Sequence, residues 1–431
     1  MVQLKLQLNK ALQIAKDSRL QQVLLFTFNL KLIFLGFANA LFDFAWAQPI
    51  LGHTIADMWY WVGFWQKTQK GLVPYVDFDY VYPPLSGLLY WFLGNFIDLT
   101  EGRWKSILFT HGAFMSLLDV INAGLIYLIL KEINPKRARL LAILFAASLT
   151  SLFLAPVRYE SAVVTFALIG YWFHLKDKPF WATFFWSLGC WLKWYTFFFI
   201  IAAEVKAFWI DKKRSQWLQT IITFTAIAVL LNLPFMLACW SKNGNLNNWL
   251  TTYTFHTSRP FSWDTLLGLG VLWFGNPPLE GLANNSTVIL MTLAIVLRPE
   301  LKLEYKGVLI CIASIFFNRI YSPQFHLWFY PFLMFVIAQE TDKRWRWFLW
   351  LYLVVDLINV IVFPISFAYA IEEMKGLGAL FAREKGKIWT VVYTLSIISR
   401  TFLLAGISGL ILRTRYRPEE QSTQLALDLQ S

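Results

Sequence analysis

The feature that most constrains this chain is the recurrence of apolar runs, many near the length of a bilayer core, along almost all of its 431 residues. About 20 apolar residues coiled as a helix cross a hydrocarbon layer roughly 30 Å thick, with every backbone polar group satisfied inside the segment. The expected fold class is therefore an all-α polytopic membrane protein. The formal net charge of +12 sits in short basic clusters between the runs, as it does in cytoplasmic loops. It does not indicate nucleic-acid binding.

Lys5, Lys10, Lys16 and Arg19 precede the first run, Val23–Phe42, and place the N-terminus inside. Met1–Gln22 reads as a polar, basic cytoplasmic arm without the pattern of a cleavable signal peptide. A long first outer loop follows, Asp43 to Lys105. Within it, Ile55–Lys70 puts Met58, Trp59, Val62 and Trp65 at helical spacing, with Gly71 placed as a stop, which predicts a helix lying in the interface. The next stretch, "GLVPYVDFDYVYPPLSG" (Gly71–Gly87), alternates with period two across Val76–Tyr82. That predicts extended chain with Asp77 and Asp79 on one side. Pro83 holds Tyr82 extended, and Pro84 suits the first turn of a helix. Leu85–Ile97 is short for a span and is expected to be re-entrant or interfacial.

Ser106–Leu130 then leads inward to the basic Lys131–Arg139, Leu140–Pro156 leads out, and Ala162–Leu175 leads in. Phe180–Trp209 is basic on both flanks and carries Lys193 at its middle. It is expected to cross twice, with Lys193 at the outer tip. Trp217–Cys239 opens a second outer loop from Trp240 to Asn285. The remaining runs alternate around Arg298–Lys306, Arg319, Asp342–Arg346 and Arg413–Glu420. The expected architecture is about twelve spans with both ends inside, one membrane domain over residues 1–412 and a polar cytoplasmic tail over 413–431. Cys190, Cys239 and Cys311 are isolated, which indicates neither a disulfide framework nor a metal site. The 22 Trp and 39 Phe residues suit interfacial belts and also a groove for a lipid or a sugar.

An ionisable residue within a span costs about 2.5–3.5 kcal/mol on insertion scales, so each is a functional candidate. In this threading the unexplained polar residues collect at the outer face: Asp57, Asp77, Asp79, Arg158, Glu160, Lys193, His256, Arg259, Arg319, Gln324 and His326. They come from separate stretches, which points to one convergent site. Plainer roles stand beside this one. Asp57 fits a helix cap, Asp77 and Asp79 fit turn acids, Arg158 and Glu160 fit pairing at a helix end, and His256 and Arg259 fit ordinary loop positions. No metal-ligand spacing, Gly-rich phosphate loop or Ser–His–Asp pattern occurs.

Asp57-Met-Trp-Tyr, then Gly71-x-x-Pro74-Tyr75 and Tyr82-Pro83-Pro84-Leu85, resembles the first outer loop of GT-C glycosyltransferases, most closely glycosyltransferase family 87. "VRYES" (Val157–Ser161) is similar to that family's Arg-x-Asp, with Glu160 for Asp, and "LGCWLKWY" (Leu188–Tyr195) to its Gly-x-x-x-Lys. "HTSRPFSWDT" (His256–Thr265) is similar to its Arg-Pro segment, with Thr265 for Ser. "RIYSPQFHLWFYP" (Arg319–Pro331) resembles its Ser-Pro-Gln segment. The matches run in order over most of the chain.

The resemblance implies a GT-C-like bundle in the plasma membrane with its active site on the extracytoplasmic face. Such an enzyme moves a sugar, mannose or a related hexose, from a polyprenyl-phosphate carrier to a hydroxyl on a glycan or glycolipid acceptor. It inverts the anomeric centre and uses no separate cofactor. The family places the general base at Asp57. A lipid-phosphate leaving group needs fixed cations, for which Lys193, Arg319, Arg259 and Arg158 are expected. Asp77, Asp79, Tyr82, Glu160, His256, Gln324 and His326 are expected around the sugar and the acceptor. A transporter or lipid scramblase is the rival reading, and it calls for related halves and charges near the midplane; the sequence presents no internal repeat and no charges reaching both faces.

The threading has a direct test. Single cysteines in Gln66–Phe78 and Asn243–Ser258 are expected to react with an impermeant thiol reagent added outside, and cysteines in Lys131–Arg139 are not. Outside labelling at Lys136 overturns the threading.

Overall fold

A computed structural model describes residues 13–41, 43–44, 47–97, 99, 104–205, 207–208, 212–258, 262, 264–266, 268–270, 285–298, 301–318, 320–341, 343–370 and 388–413. Helices dominate them. α1 (Ser18–Leu41), which begins inside the expected arm, is followed by α2 (Gln48–Thr54), α3 (Ala56–Gln69), α4 (Pro84–Gly94) and α5 (Trp104–Ile133). α6 (Ala138–Ala146) meets the stretch Leu149–Val157, which opens with α7 (Leu149–Leu154), at a bend of 44°. Then come α8 (Glu160–Leu175), α9 (Pro179–Leu192), α10 (Phe197–Val205), α11 (Arg214–Asn243), α12 (Asn247–Ser258) and α13 (Asn285–Val296). α14 (Leu303–Phe317), α15 (His326–Gln339), α16 (Arg344–Val360) and α17 (Ile388–Leu412) close the chain. Among the described residues there is no strand, only an isolated bridge between Pro74 and Phe78.

Among the described residues, against about twelve spans expected, five helices are long and apolar enough to cross a membrane: α1, α5, α11, α16 with its continuation to Ala370, and α17. The bent pair makes a sixth. The protein is thus built as an integral membrane protein. The first loop contains the expected short helices. α3 ends at Gln69, and Gly71 follows with φ 82°, the left-handed geometry that a Cβ disfavours. Pro84 opens α4 as expected.

The extended run expected over Val76–Tyr82 is only half present. The Val76 and Asp77 amides both bond to Val73 O, at 3.2 and 2.8 Å, and the Asp77 carboxylate accepts the Val73 N–H at 2.7 Å. A short acid that bonds a neighbouring amide closes a turn in place of a strand. From Phe78, the bridge residue, onward the run has neither helix nor turn.

Two ends of the bundle differ in chemistry. At one, Arg137 Nη1 donates to Ile337 O and Glu340 O at 3.0 and 2.8 Å, finishing α15, while Lys176 pairs with Glu132 and Lys131 with Asp17. At the other lie the turns between α7 and α8, between α9 and α10, and between α14 and α15. The α9–α10 turn is the one expected at Lys193. α9 ends there, Thr196 Oγ1 donates to Trp186 O at 2.9 Å, and Trp186 stacks on Phe199 at 6.2 Å, so the chain doubles back.

That turn rests on one close approach. A Cβ on Gly170 would lie 2.4 Å from the Trp186 indole, which is fixed by Nε1 donating to Ala167 O at 3.1 Å. Gly170→Ala adds helix propensity worth about 1 kcal/mol, yet overpacking here is expected to cost about 1–3 kcal/mol. A lower unfolding midpoint in detergent is the expected result, and a raised one would contradict the packing.

Candidate functional site

Asp57 is the second residue of α3. No side chain caps that helix, so the cap role is unfilled and the carboxylate turns elsewhere: Oδ2 lies 3.2 Å from Arg158 Nε. The pair is asymmetric, with the Asp57 side chain 50% exposed and that of Arg158 only 6%. Arg158 is an extended residue between the 3₁₀ turn Ala155–Val157 and α8, and its Nη1 also donates to Val157 O at 3.3 Å. Pro156 favours this break because it supplies no amide for a continuing helix.

Glu160 is the first residue of α8. Its side chain is 1% exposed, and its Oε1 pairs with Lys193 Nζ. The Lys193 ammonium also sits 5.1 Å from the Tyr159 ring, 4.8 Å from Phe325 and 5.1 Å from Trp328, an aromatic cage for a cation. Phe325 ends the 3₁₀ turn Pro323–Phe325. It stacks on Trp328 at 4.0 Å, and Trp328 on Tyr195 at 4.4 Å. Three helix turns therefore meet around one lysine.

The first loop closes over this centre with rings. Tyr82 lies 5.6 Å from Tyr159, 5.6 Å from Tyr60 and 5.1 Å from Trp61, and Trp61 stacks on Tyr90 at 3.4 Å. Tyr75 OH donates to Tyr82 O at 2.7 Å from below. Burial, with the Asp57 and Glu160 charges nearby, pushes the Tyr82 phenol far above its ordinary range, so it stays neutral. Burial pushes Tyr60 up to about 12.

The other expected residues divide. Gln324 and His326 are buried beside Phe325, with His326 Nδ1 3.0 Å from Tyr330 OH. Asp77 pairs with Lys242 of α11, which holds its carboxyl below the ordinary value, and Asp79 accepts from Thr251 Oγ1 of α12 at 3.3 Å. Asn243 and Asn248 both donate to Val76 O, at 2.8 and 2.9 Å, so this acidic stretch fastens the loop to α11 and α12. Its acids are engaged there and not at the Lys193 centre. Arg259, Arg319 and the His256 side chain lie outside the described residues.

The expectation that unexplained charges gather at one end is corrected. Lys31, Asp119, Asp356 and Arg400 are buried near the midpoints of α1, α5, α16 and α17. Each interrupts a long apolar run, and that was the available signal. Lys31 pairs with Asp119 at 2.6 Å. Asp356 accepts the Leu149 and Thr150 amides at 2.6 and 3.0 Å. Arg400 lies 4.0 Å over Tyr321 and donates to Asn359 Oδ1 at 3.2 Å and Asp264 O at 2.6 Å.

Chemically, the centre holds two cations, each neutralised by a carboxylate. Asp57 is the more exposed of the two carboxylates. Among the described residues, Glu160 Oε2, Tyr195 OH, Trp328 Nε1 and His326 Nε2 are buried without a hydrogen-bond partner. No family model matches this chain, and no curated protein matches it.

The Lys193–Glu160 pair sets a stability test. Lys193→Met strands a buried carboxylate, expected to cost about 3–5 kcal/mol, whereas Lys193→Met with Glu160→Gln removes both charges and is expected to recover most of it. Thermal unfolding of the two variants decides, and a single variant that melts like the wild type excludes the pair.

Proposed function

We propose that the protein is a membrane glycosyltransferase that moves a hexose, mannose or a relative, from a polyprenyl-phosphate carrier to an acceptor hydroxyl. The observation that carries the reading is the half-exposed Asp57 paired with buried Arg158, two residues before the Glu160 that pairs with ring-caged Lys193, with Tyr82 against Tyr159, the residue between them in sequence. Glycosyl transfer from a phosphate ester needs these parts: a carboxylate for the attacking hydroxyl, fixed cations for the departing phosphate, and aromatic faces for the sugar.

In this mechanism the donor phosphate displaces the carboxylates from Arg158 and Lys193, with Arg259 and Arg319 as further cations. The acceptor oxygen attacks the anomeric carbon, its proton passes to Asp57, and the bond from that carbon to the phosphate oxygen breaks. The polyprenyl phosphate leaves as an anion held by the cations. A base and a leaving group on opposite faces of the sugar give inversion. Tyr82, Glu160, Gln324 and His326 line the sugar side, and the acceptor is a glycan or a glycolipid.

The topology that goes with this reading has about twelve spans in the plasma membrane. The end carrying Arg137, Lys176 and Lys131 faces the cytoplasm by the positive-inside rule, which puts Asp57 outside. A lipid-moving or transport role draws support from the mid-helix charges of α1, α5, α16 and α17, and the test below separates it.

Asp57→Asn removes the proton acceptor and keeps a similar side chain in the first turn of α3. With a polyprenyl-phosphate hexose as donor, the purified variant is expected to bind donor normally and to transfer sugar at least about a hundredfold more slowly. Near-normal turnover would remove Asp57 as the base. Lipid movement in proteoliposomes that occurs without sugar transfer, and is unaffected by Asp57→Asn, would favour the rival.

A further inference from the structure

One face of α5 takes no part in the reading above. His111, Asp119 and Asn122 fall on a single stripe of the helix, at i, i+8 and i+11, and all three are buried. Each grips the same short segment. His111 Nδ1 donates to Pro156 O at 2.8 Å, the carbonyl fixing the proton on that nitrogen. Asn122 Nδ2 donates to Ser161 O at 2.9 Å, and Asp119 Oδ1 accepts from Ser161 Oγ at 3.2 Å. Arg158 and Glu160 lie between these two anchors.

Asp119 is the hub of the stripe. Its Oδ2 accepts from Lys31 Nζ at 2.6 Å and from Ser151 Oγ, and Lys31 also donates to Ser151 Oγ at 2.5 Å. One carboxylate thus ties α1, α7 and the first turn of α8 to α5. Packing alone does not call for it, because apolar residues of similar volume hold helices together without the desolvation of an ion pair. A charge at mid-span is costly unless it does something that an apolar side chain does not. Here it fixes direction: with Pro156 and Ser161 both held, the residues between them have little freedom in where their side chains point.

We infer that Asp119, together with His111 and Asn122, positions the Pro156–Ser161 turn, so that Arg158 points to Asp57 and Glu160 to Lys193. Asp119 acts through Ser161 and is a positioning residue. Its effect on rate rests on the glycosyl-transfer reading, while its effect on the turn does not.

The test uses the full-length protein in detergent, read by backbone amide exchange and by transfer from a polyprenyl-phosphate hexose. Ser161→Ala removes one hydroxyl. It is expected to raise exchange at residues 157–161 at least about tenfold and to lower donor kcat/KM about ten- to a hundredfold, with the unfolding midpoint within about 4 °C of wild type. Two charge-free double variants isolate the acceptor atom. Lys31→Met with Asp119→Asn keeps an oxygen for Ser161 and is expected to stay within about threefold of the wild-type rate. Lys31→Met with Asp119→Leu removes that oxygen and is expected to fall as far as Ser161→Ala. Unchanged exchange in Ser161→Ala overturns the inference, as do equal rates in the two double variants or faster exchange without loss of rate. If the wild-type protein transfers no sugar, the proposed function falls, and the exchange measurement alone decides whether the stripe holds the turn.

Discussion

A charge in a low-dielectric interior persists only where the protein supplies its counter-charge or a full set of hydrogen bonds, because desolvation costs several kcal/mol per ion. Lys31 with Asp119, Lys193 with Glu160, and Arg400 with Asn359 and the Asp264 carbonyl all meet that condition. Meeting it dictates which helices must touch. α1 is mostly exposed to its surroundings along its length, and at its middle the Lys31 ammonium reaches the Asp119 carboxylate of α5. Arg400 does the same for α17, drawing it against Tyr321 and Asp264. Close packing of Leu35 on Gly112 and Leu24 on Gly124, with Asp17 bonded to Tyr127 and Lys131, fixes the same α1–α5 register as the Lys31–Asp119 pair.

The same constraint explains why the centre sits at helix breaks. Arg158, Lys193 and the Pro323–Phe325 turn each interrupt a helix, and an interrupted helix frees backbone and side chains to face inward. Around Lys193 the protein adds ring faces, from Tyr159, Phe325 and Trp328, to the Glu160 carboxylate. Rings stabilise a cation without neutralising it. The rings therefore add to the attraction of the Glu160 carboxylate without replacing it.

Local punctuation was legible in the sequence; pairing was not. Gly71 as a stop, Pro84 as a first turn and Lys193 as the tip of a hairpin all follow from rules that act within a few residues, and the structure has all three. The Val76–Tyr82 run misled because alternation is blind to a carboxylate that bonds an amide four residues back, as Asp77 does to Val73. Asp57 and Arg158 stood out in sequence as separate candidates, while their contact is tertiary and no spacing encodes it. Lys31, Asp119, Asp356 and Arg400 were visible as lone charges inside apolar runs. What no pattern carried is that Lys31 answers Asp119, and that Asn359 bonds Thr150, Pro323, Tyr321 and Arg400 together.

Those last contacts place the centre between two clamps. On one side, α5 holds Pro156 and Ser161; on the other, Asn359 holds Pro323 O at 3.0 Å and Tyr321 OH at 2.9 Å. The first clamp fixes the residues that carry Arg158 and Glu160, and the second fixes those that carry Gln324, Phe325 and His326. Asn359 also bonds Thr150 Oγ1, next to the Ser151 that donates to Asp119, so the clamps join through α7. The exposed half of the site is held differently: Asp57 opens α3, which is pinned to α4 by Trp65 Nε1 donating to Tyr90 O at 2.8 Å and by Trp61 stacked on Tyr90, in a loop fastened further to α11 and α12. The two carboxylates of the centre thus differ in burial rather than in anchorage, with the Glu160 side chain 1% exposed and the Asp57 side chain 50% exposed.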